Sequence, residues 1–302
     1  MKRIAWLIAF GLVLHTALPG SGSARRIGRI LALKRFCFEF SVGASLDRPA
    51  TLPLRATATD TLMRQYADGV GASMTEEGRL GENILGLPVR AALAFRLDNY
   101  WTIKAGLDLS SGGDSSEKSY DLDHASLSSE RFALSVRNRL LLVSPFVEAE
   151  RLFGRFSLFA GAGLQWGRLS HTYAVDSISP AYTGNLTEEI TATGMGPLVY
   201  VGGAYRYPLG EVTSLLIRLE VRFSTINKWN GDKVSTESLS SGEDRTETVE
   251  GDLTRYEWNP YGAGWVEYWD TGNVTADGVI YRDPASMSSR FSGIRFTLGI
   301  CF

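Results

Sequence analysis

The sequence contains little of what metal and redox chemistry needs. It has two cysteines, 264 positions apart, and three histidines, none of which form a pair at i, i+3 or i, i+4. These spacings exclude a zinc site built on a short Cys or His motif. Because no EF-hand-like loop is present either, neither a metal nor another cofactor is expected.

Long apolar runs are also scarce. Beyond the N-terminus, no stretch approaches the about 18 consecutive apolar residues that indicate a transmembrane helix. The formal net charge is −2, which does not favour nucleic acid as a partner. A helical inner-membrane protein and a nucleic-acid-binding protein are therefore both disfavoured.

The N-terminus has the pattern of an export signal. Lys2 and Arg3 precede an apolar run over 4–14, and small residues follow up to Ala24. This pattern predicts a cleaved signal peptide over 1–24, followed by a basic segment over 25–35 and one domain over 36–302. The five basic residues directly after the signal leave a later cleavage site, or a different start of the chain, as alternatives.

Period-2 alternation of apolar and polar residues predicts β-strands along most of the chain. The clearest case is the last one, where one face consists of Ile294, Phe296, Leu298, Ile300 and Phe302. Eight strands are predicted, near 36–45, 87–97, 100–110, 131–152, 155–169, 195–207, 214–228 and 287–302. Each is near or above the roughly nine to eleven residues that a tilted membrane-spanning strand needs.

The fourth predicted strand is irregular. Arg137 and Arg139 fall at odd positions, whereas Glu148 and Glu150 fall at even positions. We therefore expect a bulge near Ser144–Pro145, because a bulge shifts the side chains that follow it to the other face.

Short and long connections alternate between the strands. Asp98–Asn99, Gly154 and 208–213 are short, whereas 46–86, 111–130, 170–194 and 229–286 are long. This alternation is typical of bacterial outer-membrane barrels, whose periplasmic turns are short and whose extracellular loops are long. The sequence therefore predicts an all-β fold: an eight-stranded antiparallel transmembrane up-and-down β-barrel with four long extracellular loops.

The architecture and the terminal Phe302 resemble the small eight-stranded outer-membrane barrels, the group that includes the transmembrane domain of outer membrane protein A. The resemblance implies export through the periplasm, the basic segment 25–35 on the periplasmic side, and insertion by barrel-assembly machinery through the strand that ends at Phe302. It implies a porin-like, structural or adhesin-like protein surrounded by outer-membrane lipid and lipopolysaccharide, and not an enzyme. Since no domain follows the barrel, peptidoglycan anchoring is not expected.

The soluble alternative is a lipocalin-like eight-stranded barrel that binds a small ligand. In such a barrel the apolar faces of the strands would point inward around the ligand, and the charged faces would point to water. Alternation by itself does not reveal which face is inside.

Charged residues on the polar strand faces would line the interior of a membrane barrel. They carry both signs and are Glu39, Arg90, Arg96, Lys104, Asp108, Arg218, Glu220, Arg222 and Arg295. An eight-stranded barrel is just wide enough for side chains to fill, and buried charges are tolerated when they are paired. We therefore expect a plugged lumen, with a selective proton or ion path as the alternative.

Cys37 lies near the start of the first predicted strand and Cys301 near the end of the last, both at the periplasmic end, and these two strands are neighbours when a barrel closes. Facing residues on paired strands reach disulfide geometry when the register matches, and the periplasm is oxidising. The hypothesis is a disulfide that locks this seam; the alternative is two buried thiols one register apart.

The segment 229–286 is the candidate binding surface. It holds twelve acidic and four basic residues, together with the aromatic residues Tyr256, Trp258, Tyr261, Trp265, Tyr268 and Trp269. Tyr and Trp dominate binding hot spots, so an extracellular protein or glycan ligand is expected here. The alternative is a hairpin of 265–269 with 279–281 that packs its own aromatic residues and raises the strand count to ten.

His124, Ser126 and Glu130 are the candidate catalytic residues. In an extended segment His124 and Ser126 share one face, and Glu130 is near enough in sequence to orient an imidazole. The pattern resembles the His-x-Ser of lipid A 3-O-deacylases, which are lipid-modifying hydrolases. A loop histidine without a catalytic role is the favoured interpretation.

Overall fold

The computed structural model describes residues 36–49, 54–80, 83–124, 129–179, 183–210, 213–240, 242, 244–272 and 274–302. The predicted signal peptide over 1–24, the basic segment over 25–35 and Ser126 lie outside the described residues.

Within the described ranges the chain forms one helix and thirteen strands. In chain order they are β1 (Phe36–Pro49), α1 (Leu54–Val70), β2 (Ser73–Arg79), β3 (Ile84–Arg96), β4 (Trp101–Asp123), β5 (Glu130–Phe153), β6 (Phe156–Ile178), β7 (Thr183–Pro208), β8 (Ser214–Ile226), β9 (Trp229–Leu239), β10 (Arg245–Trp258), β11 (Val266–Thr271), β12 (Tyr281–Ser286) and β13 (Ser289–Cys301). The predicted all-β class is confirmed, and the predicted antiparallel pairing is confirmed with it.

Eight of these strands pair in a circuit. β1 pairs with β3 and with β13, β13 pairs with β8, and β8 pairs with the C-terminal half of β7. From β7 the pairing continues through β6, β5 and β4 back to β3. Each of the eight segments that alternation predicts overlaps one strand of this circuit, which is part of a sheet of thirteen strands.

The other five strands form an extension on one end of this circuit. The N-terminal half of β7 pairs with β9, β9 pairs with β10, and β10 pairs with both β11 and β12. β2 pairs with the distal half of β4. We call these five strands, together with the distal halves of β4, β5, β6 and β7, the extension.

The two faces of the circuit strands have opposite chemistry. On β8, Leu219 and Phe223 are 56% and 53% exposed, whereas Arg222 between them is 4% exposed. Every strand of the circuit exposes apolar side chains, for example Val42, Leu87, Leu107, Val147, Leu158, Val201, Phe223 and Phe296. We call this exposed apolar face the apolar belt. Its burial pattern is the reverse of that of a soluble barrel, which hides its apolar face.

The bulge expected near Ser144–Pro145 is wrong. β5 pairs with β4 in one continuous register, and its register with β6 is the same on both sides of Ser144–Pro145, where that pairing is interrupted. Its even positions are buried from Leu134 to Glu150. Arg137 and Arg139 therefore share the exposed face with Leu141. The change from apolar to charged residues on that face marks the end of the apolar belt, and not a change of face.

The four segments predicted as long loops are largely regular structure. β4 continues to Asp123, β5 begins at Glu130, β6 continues to Ile178 and β7 begins at Thr183. The segment 46–86 contains α1 and β2, and 229–286 contains β9 to β12. Hydrophobic alternation did not predict these strands because their exposed faces are polar.

Candidate functional site

The buried polar faces of the circuit strands bring opposite charges together. This charge cluster consists of Glu39, Arg90, Lys104, Asp108, Glu148, Glu150, Arg206, Arg218, Glu220, Arg222 and Arg295. Lys104 Nζ lies 2.8 Å from Glu39 Oε2, 3.1 Å from Glu148 Oε1 and 2.9 Å from Glu150 Oε2. Because each charge has partners of opposite sign, the cluster meets the condition under which burial of ions is tolerated.

The arginines of the cluster join different strands. Arg218 Nη2 lies 2.7 Å from Glu148 Oε2, Arg206 Nη2 lies 3.0 Å from Glu39 Oε1, and Arg295 forms an ion pair with Asp108. Pairs of this kind connect side chains that are far apart in sequence.

The structure departs from the predicted set of lumen charges at four positions. Arg96 is exposed at the end of β3, where its Nε donates to the carbonyl oxygen of Asp98 at 3.0 Å. Glu148, Glu150 and Arg206 belong to the cluster but were missed. The irregular pattern of the fourth predicted strand gave no face for Glu148 and Glu150. Arg206 lies two positions from the buried Ala204 and so shares its face of β7.

Cys37 and Cys301 are joined by a disulfide next to the charge cluster, with their Cα atoms 6.4 Å apart. Because Cys301 pairs with Glu39, Cys37 lies diagonally opposite it across the β1–β13 seam. Arg206 Nη1 lies 3.6 Å from the Cys301 sulfur. Glu39 and both sulfurs could together ligate a metal, but the disulfide engages both sulfurs.

Aromatic rings cover two of the guanidinium groups of the cluster. Arg90 lies 3.8 Å from the centroid of the Phe146 ring, and Arg218 lies 3.8 Å from that of Phe159. Arg90 Nη2 also donates to the hydroxyl of Tyr200 at 2.9 Å. These contacts stabilise the cations through the negative face of each ring and close the space around them.

An apolar layer fills the interior between the charge cluster and the extension. Its largest members are Leu140, Leu142, Leu169, Ile190, Ile226, Trp229, Leu253, Trp269, Met287 and Phe291. Trp229 is fully buried, and its Nε1 donates to Ser289 Oγ at 3.0 Å. The indole polar group is therefore satisfied inside an otherwise apolar layer.

Helix α1 lies within the extension. Ala56 packs against a buried cluster from β4, β5 and β6 that includes Tyr120 and Tyr173. Ala58 and Leu62 pack against a second cluster from β10 and β11, which includes Tyr268. The small alanine side chains allow both walls to approach the helix closely.

Arg55 anchors the first turn of α1. It is 1% exposed, its Nε donates to the hydroxyl of Tyr268 at 2.6 Å, and it forms an ion pair with Glu188 of β7. The guanidinium also lies 4.9 Å from the Tyr173 ring and 5.6 Å from the Trp269 ring. One side chain thus connects the helix to β6, β7 and β11.

Polar contacts hold the exposed side of α1. Asp60 pairs with Lys118 of β4 and accepts a hydrogen bond from Tyr120, and burial together with this carboxylate raises the pKa of Tyr120. Arg64 Nε lies 2.9 Å from Glu76 Oε1 of β2, and hydrogen bonds from Arg64 and Lys118 lower the pKa of Glu76. The helix is therefore fixed on its polar side as well.

His171 is buried below α1. Its Nδ1 lies 2.8 Å from Asn138 Oδ1, and its ring centroid lies 5.0 Å from that of Trp269. Burial, and secondarily the Arg55 guanidinium, lower the pKa of His171 well below its ordinary value. The imidazole is therefore neutral at neutral pH.

Most of the aromatic residues predicted to bind a partner face the interior. Tyr256, Tyr268 and Trp269 are buried, so they do not form the exposed surface that was expected. Trp258 packs on Tyr268 at a ring distance of 5.2 Å. The predicted hairpin is also wrong, because β11 and β12 each pair with β10.

Two aromatic residues of this set lie nearer the surface. Tyr261 is 54% exposed, with its ring 6.0 Å from that of Tyr66. Trp265 is partly buried, and the guanidinium of Arg282 lies 4.2 Å from its ring centroid.

His124 and Glu130 lie at the tip of the β4–β5 connection. His124 Nε2 and Glu130 Oε2 are 3.6 Å apart, and Glu130 also accepts a hydrogen bond from the hydroxyl of Tyr66 at 3.2 Å. The structure thus brings the histidine near the acid. The third residue of the predicted set, Ser126, is outside the described residues.

In the described part of the chain, no helix has both the length and the apolar character needed to cross a membrane.

No protein-family model matches the chain, and no curated protein matches its sequence. Among solved structures, it is similar to the outer membrane protein OprG from Pseudomonas aeruginosa, with 11% identity and a TM-score of 0.33 over 89% of this chain and 97% of that chain. It is also similar to the translocator domain of the autotransporter NalP from Neisseria meningitidis, with 8% identity and a TM-score of 0.20 over 93% of this chain and 95% of that chain. A FadL homologue from Pseudomonas aeruginosa has 6% identity and a TM-score of 0.23 over 89% of this chain and 90% of that chain. TM-scores this low assign neither a fold nor an activity to the chain.

Proposed function

We propose that the chain is a bacterial outer-membrane β-barrel of eight membrane-spanning strands, with a plugged lumen and a folded extracellular part. It acts as a structural or adhesin-like envelope protein and is not an enzyme. The observation that supports this proposal is the inversion of the strand faces, with an exposed apolar belt and a buried charge cluster. An apolar outer face of this kind is stable only in contact with lipid.

The interior contacts support a closed lumen. The charge cluster, the rings of Phe146, Phe159 and Tyr200, and the apolar layer follow one another through the circuit. Planar-bilayer recording tests this part of the proposal. We expect the full chain to insert without steady conductance, and a stable ohmic conductance would show that the lumen is open.

Strand length supports the orientation. β4, β5, β6 and β7 have 23, 24, 23 and 26 residues, well above the roughly nine to eleven that cross a membrane. Their excess lies on the side of the extension, and the short turns lie on the opposite side. Because short turns are periplasmic in such barrels, the extension is extracellular.

The extension is where an extracellular protein or glycan partner would bind. Burial of Tyr256, Tyr268 and Trp269 removes these residues from the surface, whereas Tyr261 and the segment 275–280 stay exposed. Outer-membrane lipid and lipopolysaccharide surround the apolar belt, and barrel-assembly machinery acts on the strand that ends at Phe302.

The position of His124 does not favour a lipid A deacylase. His124 follows the last residue of a 23-residue strand that begins at Trp101. At about 3.3 Å per residue, it lies far beyond an apolar band about 25 Å tall. A hydrolase acting on acyl chains would need this group at the lipid boundary.

Trypsin treatment of intact cells tests the membrane location and the orientation together. The side chain of Arg245, at the start of β10, is 76% exposed, so we expect cleavage after Arg245 and a membrane-bound N-terminal fragment. An Arg245→Gln variant is the matched control and should lose this cut. Cleavage only after permeabilisation of the outer membrane would reverse the orientation, and recovery of the chain in the soluble fraction would refute the membrane location.

A further inference from the structure

Three arginines form a group on the exposed face of two neighbouring strands, β5 and β6. Arg137 and Arg139 lie two positions apart on β5, and Arg168 lies on the neighbouring strand β6. Arg139 pairs with Ser170, and Leu141 pairs with Arg168, so Arg139 and Arg168 are diagonal neighbours. Diagonal positions are separated by about 7–8 Å. Since an arginine side chain has a similar reach, the three guanidinium groups can converge on one ligand.

The surroundings of these arginines do not neutralise their charge. The positions paired with the three arginines on neighbouring strands are Gly113, Ser115, Leu141, Ser170, Thr172 and Thr193. Among the described carboxylates, none forms an ion pair with Arg137, Arg139 or Arg168. Further along the same face of β5, Arg131 lies 3.7 Å from Asp121. Glu117 of β4 is diagonal to Arg137 and forms no ion pair with it, and the other diagonal positions carry no charge except the arginines themselves. The three arginines thus form a patch of net positive charge.

The patch lies at the edge of the apolar belt. Leu141 follows Arg139 on the same exposed face, and Trp166 precedes Arg168 by two positions on its face. Both Leu141 and Trp166 are 39% exposed. A ligand at the patch would therefore contact apolar side chains below and cationic groups above, which is the arrangement of a lipid with an anionic headgroup.

The opposite end of the exposed face of β5 carries no comparable group of arginines. Its exposed face ends in Arg151, whose guanidinium lies 5.6 Å from the Trp101 ring and 5.2 Å from the Phe153 ring. Here a single cation is engaged by aromatic rings. On the exposed face of β5, the group of cations without aromatic partners thus lies at the end next to the extension.

We infer that Arg137, Arg139 and Arg168 form a binding site for the phosphate groups of lipopolysaccharide in the outer leaflet. This inference rests on the proposed function, because it requires the apolar belt in lipid and the extension outside the cell. Guanidinium groups bind phosphate oxygens through pairs of charge-assisted hydrogen bonds. Three arginines match a doubly phosphorylated headgroup better than the single phosphate of a phospholipid, and the hydroxyls of Ser170 and Thr172 supply further donors.

Binding of purified lipid A to the full chain in a neutral detergent tests the inference. We expect bisphosphorylated lipid A to bind the wild-type protein, and an Arg137→Ala/Arg139→Ala/Arg168→Ala variant to bind roughly tenfold more weakly. An Arg151→Ala variant is the matched control, since Arg151 lies on the same exposed face of β5. This variant should bind lipid A like the wild-type protein. Lipid A without phosphates should bind the wild-type protein as weakly as the triple variant binds the intact lipid.

Each contrary outcome has a defined meaning. Equal affinity of the triple variant and wild type would overturn the inference, and so would equal binding of phosphatidylglycerol and lipid A to wild type, which indicates a general anion surface. A single Arg168→Glu variant gives a second test and should weaken binding with little change in the fold. Heat-dependent gel mobility of the same samples separates the two proposals. A protein with the barrel shift but without phosphate-dependent binding overturns only this inference, whereas a protein without the shift overturns the proposed function.

Discussion

At the scale of single residues, Lys104 shows how the interior is held together. Its fully buried ammonium group lies between Glu39, Glu148 and Glu150, which come from two strands other than its own. Alternation predicted that Lys104 and Glu39 face inward. It did not predict their partners, because pairing depends on strand register, and the irregular pattern of β5 left Glu148 and Glu150 without an assigned face.

A Lys104→Met variant should have a much lower free energy of unfolding than the wild-type protein. Three carboxylates would be left without their shared cation, and removal of one partner from a buried ion cluster costs about 3–5 kcal/mol. Urea unfolding in detergent micelles, followed by tryptophan fluorescence, measures the change in the free energy of unfolding. An Arg96→Met variant is the control: Arg96 is exposed at a turn, so its loss should cost less than about 1 kcal/mol. Equal effects of the two substitutions would contradict the burial of Lys104.

The pKa of His171 predicts acid sensitivity of the extension. It is lowered in the folded state by burial and by Arg55 of α1, while Asn138 and Trp269 contribute no charge. Because an unfolded histidine has a pKa of about 6.5, the unfolded state binds the extra proton first, and stability falls as the pH drops below about 6.5. The urea midpoint of the wild-type protein should therefore be lower at pH 5.5 than at pH 7.5.

A His171→Gln variant should lose most of this pH dependence between 7.5 and 5.5. A His124→Gln variant is the matched control and should keep the pH dependence of wild type, because His124 lies in the β4–β5 connection and not in the buried layer that contains His171. An unchanged pH dependence in the His171 variant would mean that another group is responsible.

At the scale of elements, α1 and the strands of the extension were not predicted. The partners of α1 come from β4, β5, β6, β10 and β11, so nothing local in the sequence indicated that this segment would be packed inside. Alternation located the circuit strands because their exposed face is apolar at every second position. In the extension the exposed face is largely polar, so the hydrophobic signal of period 2 is weak although the strands continue.

An Arg55→Met variant should release α1. Methionine keeps part of the apolar stem but leaves Glu188 without its ion pair and Tyr268 without its donor. Limited proteolysis of the folded protein should cut within 54–80 at least several times faster than in wild type, because local opening exposes the segment. The control is Arg64→Met on the same helix, since the side chain of Arg64 is 57% exposed. Equal rates in both variants would contradict the anchoring role of Arg55.

At the scale of the whole molecule, the disulfide joins the two ends of the described chain across the β1–β13 seam. It closes a loop of 264 residues, and a cross-link of this kind stabilises a protein by about 2–5 kcal/mol. A Cys37→Ser/Cys301→Ser variant should therefore unfold at lower urea concentration than the oxidised wild type. Reduced wild type should match the variant, and identical midpoints with and without reductant would indicate that the bond does not form.

The whole molecule combines an apolar outside, a charged inside and a folded extension. Heat-dependent gel mobility of the protein from a purified outer-membrane fraction tests this arrangement most directly, since a closed barrel resists detergent until it is boiled. The expected result is a compact band without boiling that shifts to the mobility of the unfolded 33.1 kDa chain, or of its processed form, after boiling. A protein that is soluble and has the same mobility before and after boiling would contradict the inverted barrel and would indicate that the apolar faces point inward around a ligand.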